Sequence, residues 1–254
     1  SAPVLSLLKR YDVGTVELGI QSMDDGALRL SRRGHTALQS VEAVLLLKDS
    51  GFRTGVQLMP GLPGADAESD MTTVRKVIDL APHMVRIYPT VVVKGTDLHQ
   101  MYMWGEYQPI SLEKAVPLCA EMLLSFQAVD IPVIRLGLQQ TARLERGAVI
   151  AGPHHPALRH LVESHIFRCL AERALKSLNA QGGVAVFTVS PRNLSNLRGQ
   201  KNQNRRTLME TFALQRLDIG ARPELEDDAL LLEWEDLSWK GKTTDLLGGA
   251  SIDV

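Results

Sequence analysis

This 254-residue chain is short of several things, and each shortage excludes something. Its two cysteines, Cys119 and Cys169, stand fifty positions apart, which rules out a disulfide framework and suits buried thiols in a reducing cytoplasm. No apolar run approaches the ~18 residues of a membrane span, and AVLLL at 43–47 reads as part of an amphipathic helix. A membrane partner is therefore not expected. Net charge is −1, so bulk electrostatics gives no reason to expect a polyanionic partner. Aromatics make up 5% of the chain, and MYMWGEY at 101–107, where several gather, reads as packing. His165 and Cys169 are a permitted ligand pair four apart on a helix, but no third or fourth ligand follows at metal-site spacing, so no metal is expected.

What the chain does have is 44% hydrophobic residues, enough for one large or two small cores. Strand and helix signals alternate through the first two-thirds. Strands are expected at 15–21, 53–59, 84–90 and 131–138, with helices at 24–32, 38–50, 69–80 and 111–128 between them. That alternation implies parallel strands joined by helical crossovers, hence an α/β sheet or barrel. After the turn GPHHP (152–156) comes a long helix at 157–179. Strands at 182–189, 214–220 and 229–234 then enclose helices near 190–194 and 200–213. The expected division is a barrel part over 1–138, a helical connection over 139–180, a small α/β unit over 181–236 and a tail over 237–254.

In TVELGIQ (15–21) the period of two puts Glu17, Gly19 and Gln21 on one face. Two polar side chains and a glycine facing inward are odd for a plain core, and ligands in such sheets gather at the carboxyl ends of strands. Gln21 sits at that end, and Arg33, twelve residues on, can return over the same rim as a fork for a carboxylate. A capping glutamine and a surface arginine are the plain alternative. QLMPGLPG (57–64) gives a rigid loop after the second strand, whose N–H groups could approach a ligand. Lys94, in YPTVVVKGT (88–96), is either a rim cation or a solvated lysine. Charge is segregated late in the chain: 192–207 holds five Arg/Lys and no acid, 224–236 seven acids and no base. These runs are either two solvated faces that neutralise each other or a basic surface open to a partner.

The ordered set VELGIQS…RRGHT, QLMPGLPG and VRIYPTVVVKGTDL…GEYQPIS resembles the radical S-adenosylmethionine (SAM) superfamily. The resemblance is to the branch of the Elongator catalytic subunit and the oxygen-independent coproporphyrinogen III oxidase-like proteins, and it spans about residues 4–138. It implies part of a six-stranded, TIM-like (β/α) barrel with a small α/β extension. It also implies a [4Fe–4S] cluster, on a CxxxCxxC loop, that reduces SAM to methionine and a 5′-deoxyadenosyl radical. By position, Gln21, Arg33, Gln57, Met59, Pro60 and Gly61 fall on the SAM side, with Arg33 at its carboxylate. Glu17, His35 and Lys94 fall on the substrate side.

The sequence departs from that pattern in its cysteines, since none precedes Cys119. The family's first three strands would also lie ahead of Ser1. The expectation is therefore the C-terminal part of a radical oxidoreductase or transferase: SAM-binding, without a cluster of its own and catalytically silent as it stands. A homodimer or the missing N-terminal half is expected at the open edge of the 15–21 strand, where Val16, Leu18 and Ile20 would otherwise be bare. tRNA is a candidate partner for 192–207. Two other readings stay open: a non-catalytic RNA- or protein-binding module derived from this fold, and an ordinary α/β enzyme using Glu17, Arg33 and Lys94.

Overall fold

A computed structural model describes residues 2–139 and 147–248, which divide into two compact units, Ser1–Pro156 and Ala157–Val254. The first begins with α1 (Ala2–Arg10), β1 (Thr15–Gln21), α2 (Asp25–Leu30), α3 (Ala37–Asp49), β2 (Arg53–Leu58) and α4 (Ala67–Leu80). It continues through β3 (Met84–Ile87), β4 (Val92–Val93), α5 (Asp97–Met103), α6 (Leu112–Gln127), β5 (Val133–Leu136) and β6 (Val149–Ala151). β1, β2, β3 and β5 form one parallel sheet in that order. It is a partial TIM-like barrel, as the family resemblance implied.

The helices start where side chains can satisfy their free N–H groups. Thr36 and Gln39 close a reciprocal capping box on α3, and Asp66 and Ser69 do the same on α4. The core lies between the sheet and these crossovers. Ile20, Val56, Leu58, Val85 and Ile87 from strands, with Val44, Val74, Val77, Leu123 and Phe126 from helices, are all almost fully buried.

Three expectations need correction in this unit. The apolar face of β1 is not bare: Val16 and Leu18 are half-buried and Ile20 is 1% exposed, because α3 packs on this strand. Among the described residues β1 does stand at the edge of the sheet, paired only with β2. The stretch after Thr90 is not plain loop, since β4 pairs antiparallel with β6 and α5 follows it. Within MYMWGEY, Tyr107 packs inside, but Met103 and Trp104 are 66% and 70% exposed.

The second unit comprises α7 (Leu158–Ser177), β7 (Val184–Val189), α8 (Leu194–Arg198), α9 (Gln203–Thr211), β8 (Arg216–Ala221), β9 (Ala229–Trp234) and β10 (Leu237–Lys242). Its sheet runs β10-β9-β7-β8, with β7 and β8 parallel and the other neighbours antiparallel. α7 covers this sheet with Phe167, Leu170, Ala171, Ala174 and Leu175, so it belongs to the unit rather than to a connection over 139–180. Residues 237–248, expected as tail, form β10 and a following 3-10 turn. The last residues of the expected tail, 249–254, lie outside the described residues.

Candidate ligand site at the strand ends

The face of the sheet opposite the helices is polar. Glu17 on β1 and Arg86 on β3 meet in a two-pronged ion pair, Nε to Oε2 at 2.5 Å and Nη2 to Oε1 at 2.8 Å. Arg86 also donates to the Tyr88 hydroxyl at 3.2 Å. The pair bridges over β2 because the intervening residue is Gly55, where a Cβ would sit 2.8 Å from the Glu17 Cγ. The arginine's proton is held more tightly than usual, Glu17 being the main cause and Tyr88 the second. Glu17, expected on the substrate side, is thus committed to Arg86.

Gln21 closes β1 in a left-handed conformation, φ +68°, and is 4% exposed. Its Oε1 accepts from Gln57 Nε2 at 3.1 Å, and its carbonyl accepts from the Met59 N–H at 2.8 Å. Gly19 makes room for this fold-back: a Cβ there would stand 2.1 Å from the Gln21 Nε2. β1 and β2 are therefore tied at their carboxyl ends through one glutamine pair.

His35 and Arg33 follow α2. His35 Nε2 lies 3.1 Å from the Ile20 carbonyl and Nδ1 lies 3.2 Å from the Arg33 carbonyl. The imidazole thereby braces the arginine turn against the tip of β1, which makes it a positioning group in this geometry. The Arg33 guanidinium is exposed and has no ion-pair partner among the described residues. It lines a cavity of about 120 Å³ with Leu30, Met59, Leu62, Pro63, Thr90, Leu98 and Met101. Arg32 and Asp97, also on its lining, join α2's end to α5 at 2.8 Å. Gln21, Gln57 and Lys94 are not on this lining. Lys94 is exposed on the turn after β4.

The Met59–Pro63 loop is rigid for reasons the sequence hid. Pro60, Gly61, Leu62 and Pro63 are buried. The Gly61 N–H, expected to be open to a ligand, donates to Asp70 Oδ2 at 2.9 Å, and Tyr107 donates its hydroxyl to the Gly61 carbonyl at 2.6 Å. Thr90 N–H reaches the Pro60 carbonyl at 2.9 Å. Burial drives the Asp70 carboxyl up to about 7, with the Gly61 N–H opposing and Asp66 and Asp24 adding to it. Asp70, Arg86, Arg32, Asp97 and α5 were not singled out in the sequence. Arg86 had a signal: in VRIYPT it falls in phase with Tyr88, on the face opposite Val85 and Ile87.

A cluster does not fit the thiols present. Cys119 is fully buried in α6, and burial, with Asp70 adding to it, pushes its thiol up to about 12. Cys169 lies in α7 beside His165, its Sγ 3.6 Å from Nε2, and burial pushes its thiol to about 11. No group of three or more His, Cys, Asp or Glu among the described residues could hold a metal ion. An exposed guanidinium with no ion-pair partner among the described residues, beside a thioether and an apolar wall, offers a fork for a carboxylate.

A parallel sheet joined by helical crossovers defines an α/β barrel-type protein. Residues 2–77 match the Radical SAM superfamily model and residues 82–168 match the Radical SAM C-terminal domain. The chain belongs to the radical SAM superfamily, in its Elongator-like branch. It is 42% identical over 104 residues to a tRNA uridine(34) acetyltransferase of Methanocaldococcus jannaschii, covering 40% of this chain and 19% of that protein. It is 33% identical over 122 residues to Elongator complex protein 3 of Homo sapiens, covering 47% and 22%. The solved archaeal Elp3 of Methanocaldococcus infernus with an N-terminal deletion superposes with a TM-score of 0.56 at 30% identity, over 65% of this chain and 38% of that one. The chain thus spans about a fifth of these curated relatives' length. No helix among the described residues is long and apolar enough to cross a membrane.

Proposed function

We propose that the first unit binds SAM and is part of an enzyme that cleaves it reductively. The carrying observation is Arg33, an unpaired guanidinium on the same cavity as Met59. In this reading Arg33 takes the SAM carboxylate as a two-pronged fork. His35 holds the arginine turn, Gln21 and Gln57 stand at the neighbouring strand ends, and Met59, Pro60 and Gly61 give the adenine side its fixed wall. Glu17, through Arg86, keeps the polar face in register. Lys94 sits further out, toward a substrate.

A [4Fe–4S] cluster, when bound elsewhere in such an enzyme, supplies the electron that splits SAM. The thiols of this chain do not fit one, so the chain as it stands binds SAM without cleaving it. The tRNA in the relatives' printed names supports tRNA as the substrate class of the parent enzyme. Two free thiols, Cys119 buried and Cys169 half-buried, suit a reducing compartment, the cytoplasm.

Calorimetric titration with SAM tests the reading, using the 254-residue chain and its Arg33→Ala and Arg33→Lys variants. SAM should bind the parent chain, weaken about tenfold or more in Arg33→Ala, and recover only in part with lysine, which lacks the planar fork. Equal SAM affinity in all three would remove Arg33 from the site.

A further inference from the structure

The basic segment of the second unit keeps its charges after folding. Seven acids over 224–236 were available to neutralise it. Arg192 does pair with Asp227, at 2.7 Å. The acids beside that one turn elsewhere: Glu226 and Asp228 pair with Lys242, and Glu233 reaches Arg222 at 3.9 Å. Arg198, Lys201, Arg205 and Arg206 make no ion pair among the described residues. Arg205 is partly turned inward, its Nε donating to the Leu217 carbonyl at 3.0 Å. Arg198, Lys201 and Arg206 remain exposed.

The loop that carries them is held in one shape. Lys201 and Asn202 both have left-handed backbones, φ +52° and +61°, a state uncommon for lysine and readily adopted by asparagine. Arg206 Nη1 donates to the Lys201 carbonyl at 2.9 Å. Asn204, buried beneath, donates to the Ser164 and Asn196 carbonyls at 2.8 and 3.1 Å. Gly199 passes so close over Asn204 that a Cβ there would meet its backbone nitrogen at 2.9 Å. Fixed cations lose less freedom on binding than floppy ones.

The neighbours of these cations narrow the partner. Gln200, Asn202 and Gln203 are exposed between them and offer both donors and acceptors. Cations with interleaved amides suit phosphates next to sugar hydroxyls. No aromatic residue occurs over 192–207, so there is no platform on which unpaired bases could stack. We infer that the Arg198–Lys201–Arg206 surface binds the phosphodiester backbone of a folded RNA, with little regard for its sequence. This rests on the RNA half of the reading above for the choice of polyanion, and it is independent of the SAM half.

Fluorescence anisotropy with labelled bulk tRNA on the 254-residue chain, between roughly 50 and 200 mM salt, tests it. Combining Arg198→Ala, Lys201→Ala and Arg206→Ala should weaken binding about tenfold or more and lower the logarithmic salt slope by about three. Arg198→Lys with Arg206→Lys keeps the charge and should keep the salt slope. Lys201→Glu alone should weaken binding more than Lys201→Ala, which guards against a triple variant that fails to fold. Absent tRNA binding by the parent chain, or a Lys201→Glu variant with unchanged affinity and slope, overturns the inference. So does polyglutamate that competes as well as tRNA per charge, which would assign the surface to an acidic protein. SAM affinity measured on the same samples separates the two ideas: RNA binding without SAM binding removes only the SAM reading, and the reverse removes only this one.

Discussion

Glu17 and Arg86 clasp each other across β2, two strands joined by a two-pronged ion pair that passes over Gly55. Both side chains are about a third exposed, so solvent screens much of the attraction. Replacing Glu17 with Gln should cost about 1 kcal/mol in urea denaturation, with a smaller loss at high salt. Gly55→Ala should cost more, since its Cβ would press on the Glu17 Cγ and on Met84 at 3.0 Å. A Gly55→Ala variant as stable as the parent would mean that the clasp yields freely.

Asp70 gives the fold a pH dependence. Its folded carboxyl titrates near 7, raised by burial, against 3.8 when free. A raised acid holds its proton in the folded state, so its stabilisation is complete below about 4 and is lost as pH climbs toward 7. Denaturation midpoints should fall across that window, by up to about 1.4 kcal/mol per pH unit from this group. In Asp70→Asn the amide oxygen still accepts the Gly61 N–H, and the decline over this window should flatten. A slope that persists unchanged in the Asn variant would place its origin in other groups.

Gly19→Ala should separate the glutamine pair without unfolding the sheet. The new methyl lands on the Gln21 amide, the far end of a flexible side chain, rather than on backbone. Thermal stability should change little, while SAM affinity should drop as Gln21 leaves Gln57. Unchanged affinity would make the pair a strand tie and nothing more.

Among the described residues β1 pairs on one side only, and an open strand edge attracts another strand. Size-exclusion chromatography with light scattering should report a dimer, and Lys introduced at Thr15 and Val16 should shift it toward monomer. A 27.9 kDa monomer at high concentration would show the edge needs no partner.

The parallel barrel part was legible because its strands and crossovers alternate with clean periods and its helices carry their own caps, Thr36 and Asp66 among them. Those signals are local. β4, β6 and α5 were missed because a two-residue strand such as Val92–Val93 has too little pattern to register, and it exists only because Val149–Ala151 comes alongside. Gln21 was marked by its place at a strand tip, and the structure puts its amide against Gln57, the next strand's polar residue on the same face.

The sequence by itself determined the alternation of elements, the polar face of β1 and the family motifs, since each depends on spacing along the chain. Tertiary structure alone decided which polar groups stay free. Glu17 is spent on Arg86, 69 positions away, and the Gly61 N–H on Asp70, whereas Arg33 and the cations of 198–206 keep no ion-pair partner among the described residues. The physical reason is that burial and pairing are set by neighbours in space. A carboxylate and a guanidinium find each other through the strand order, and no period in the sequence records that order.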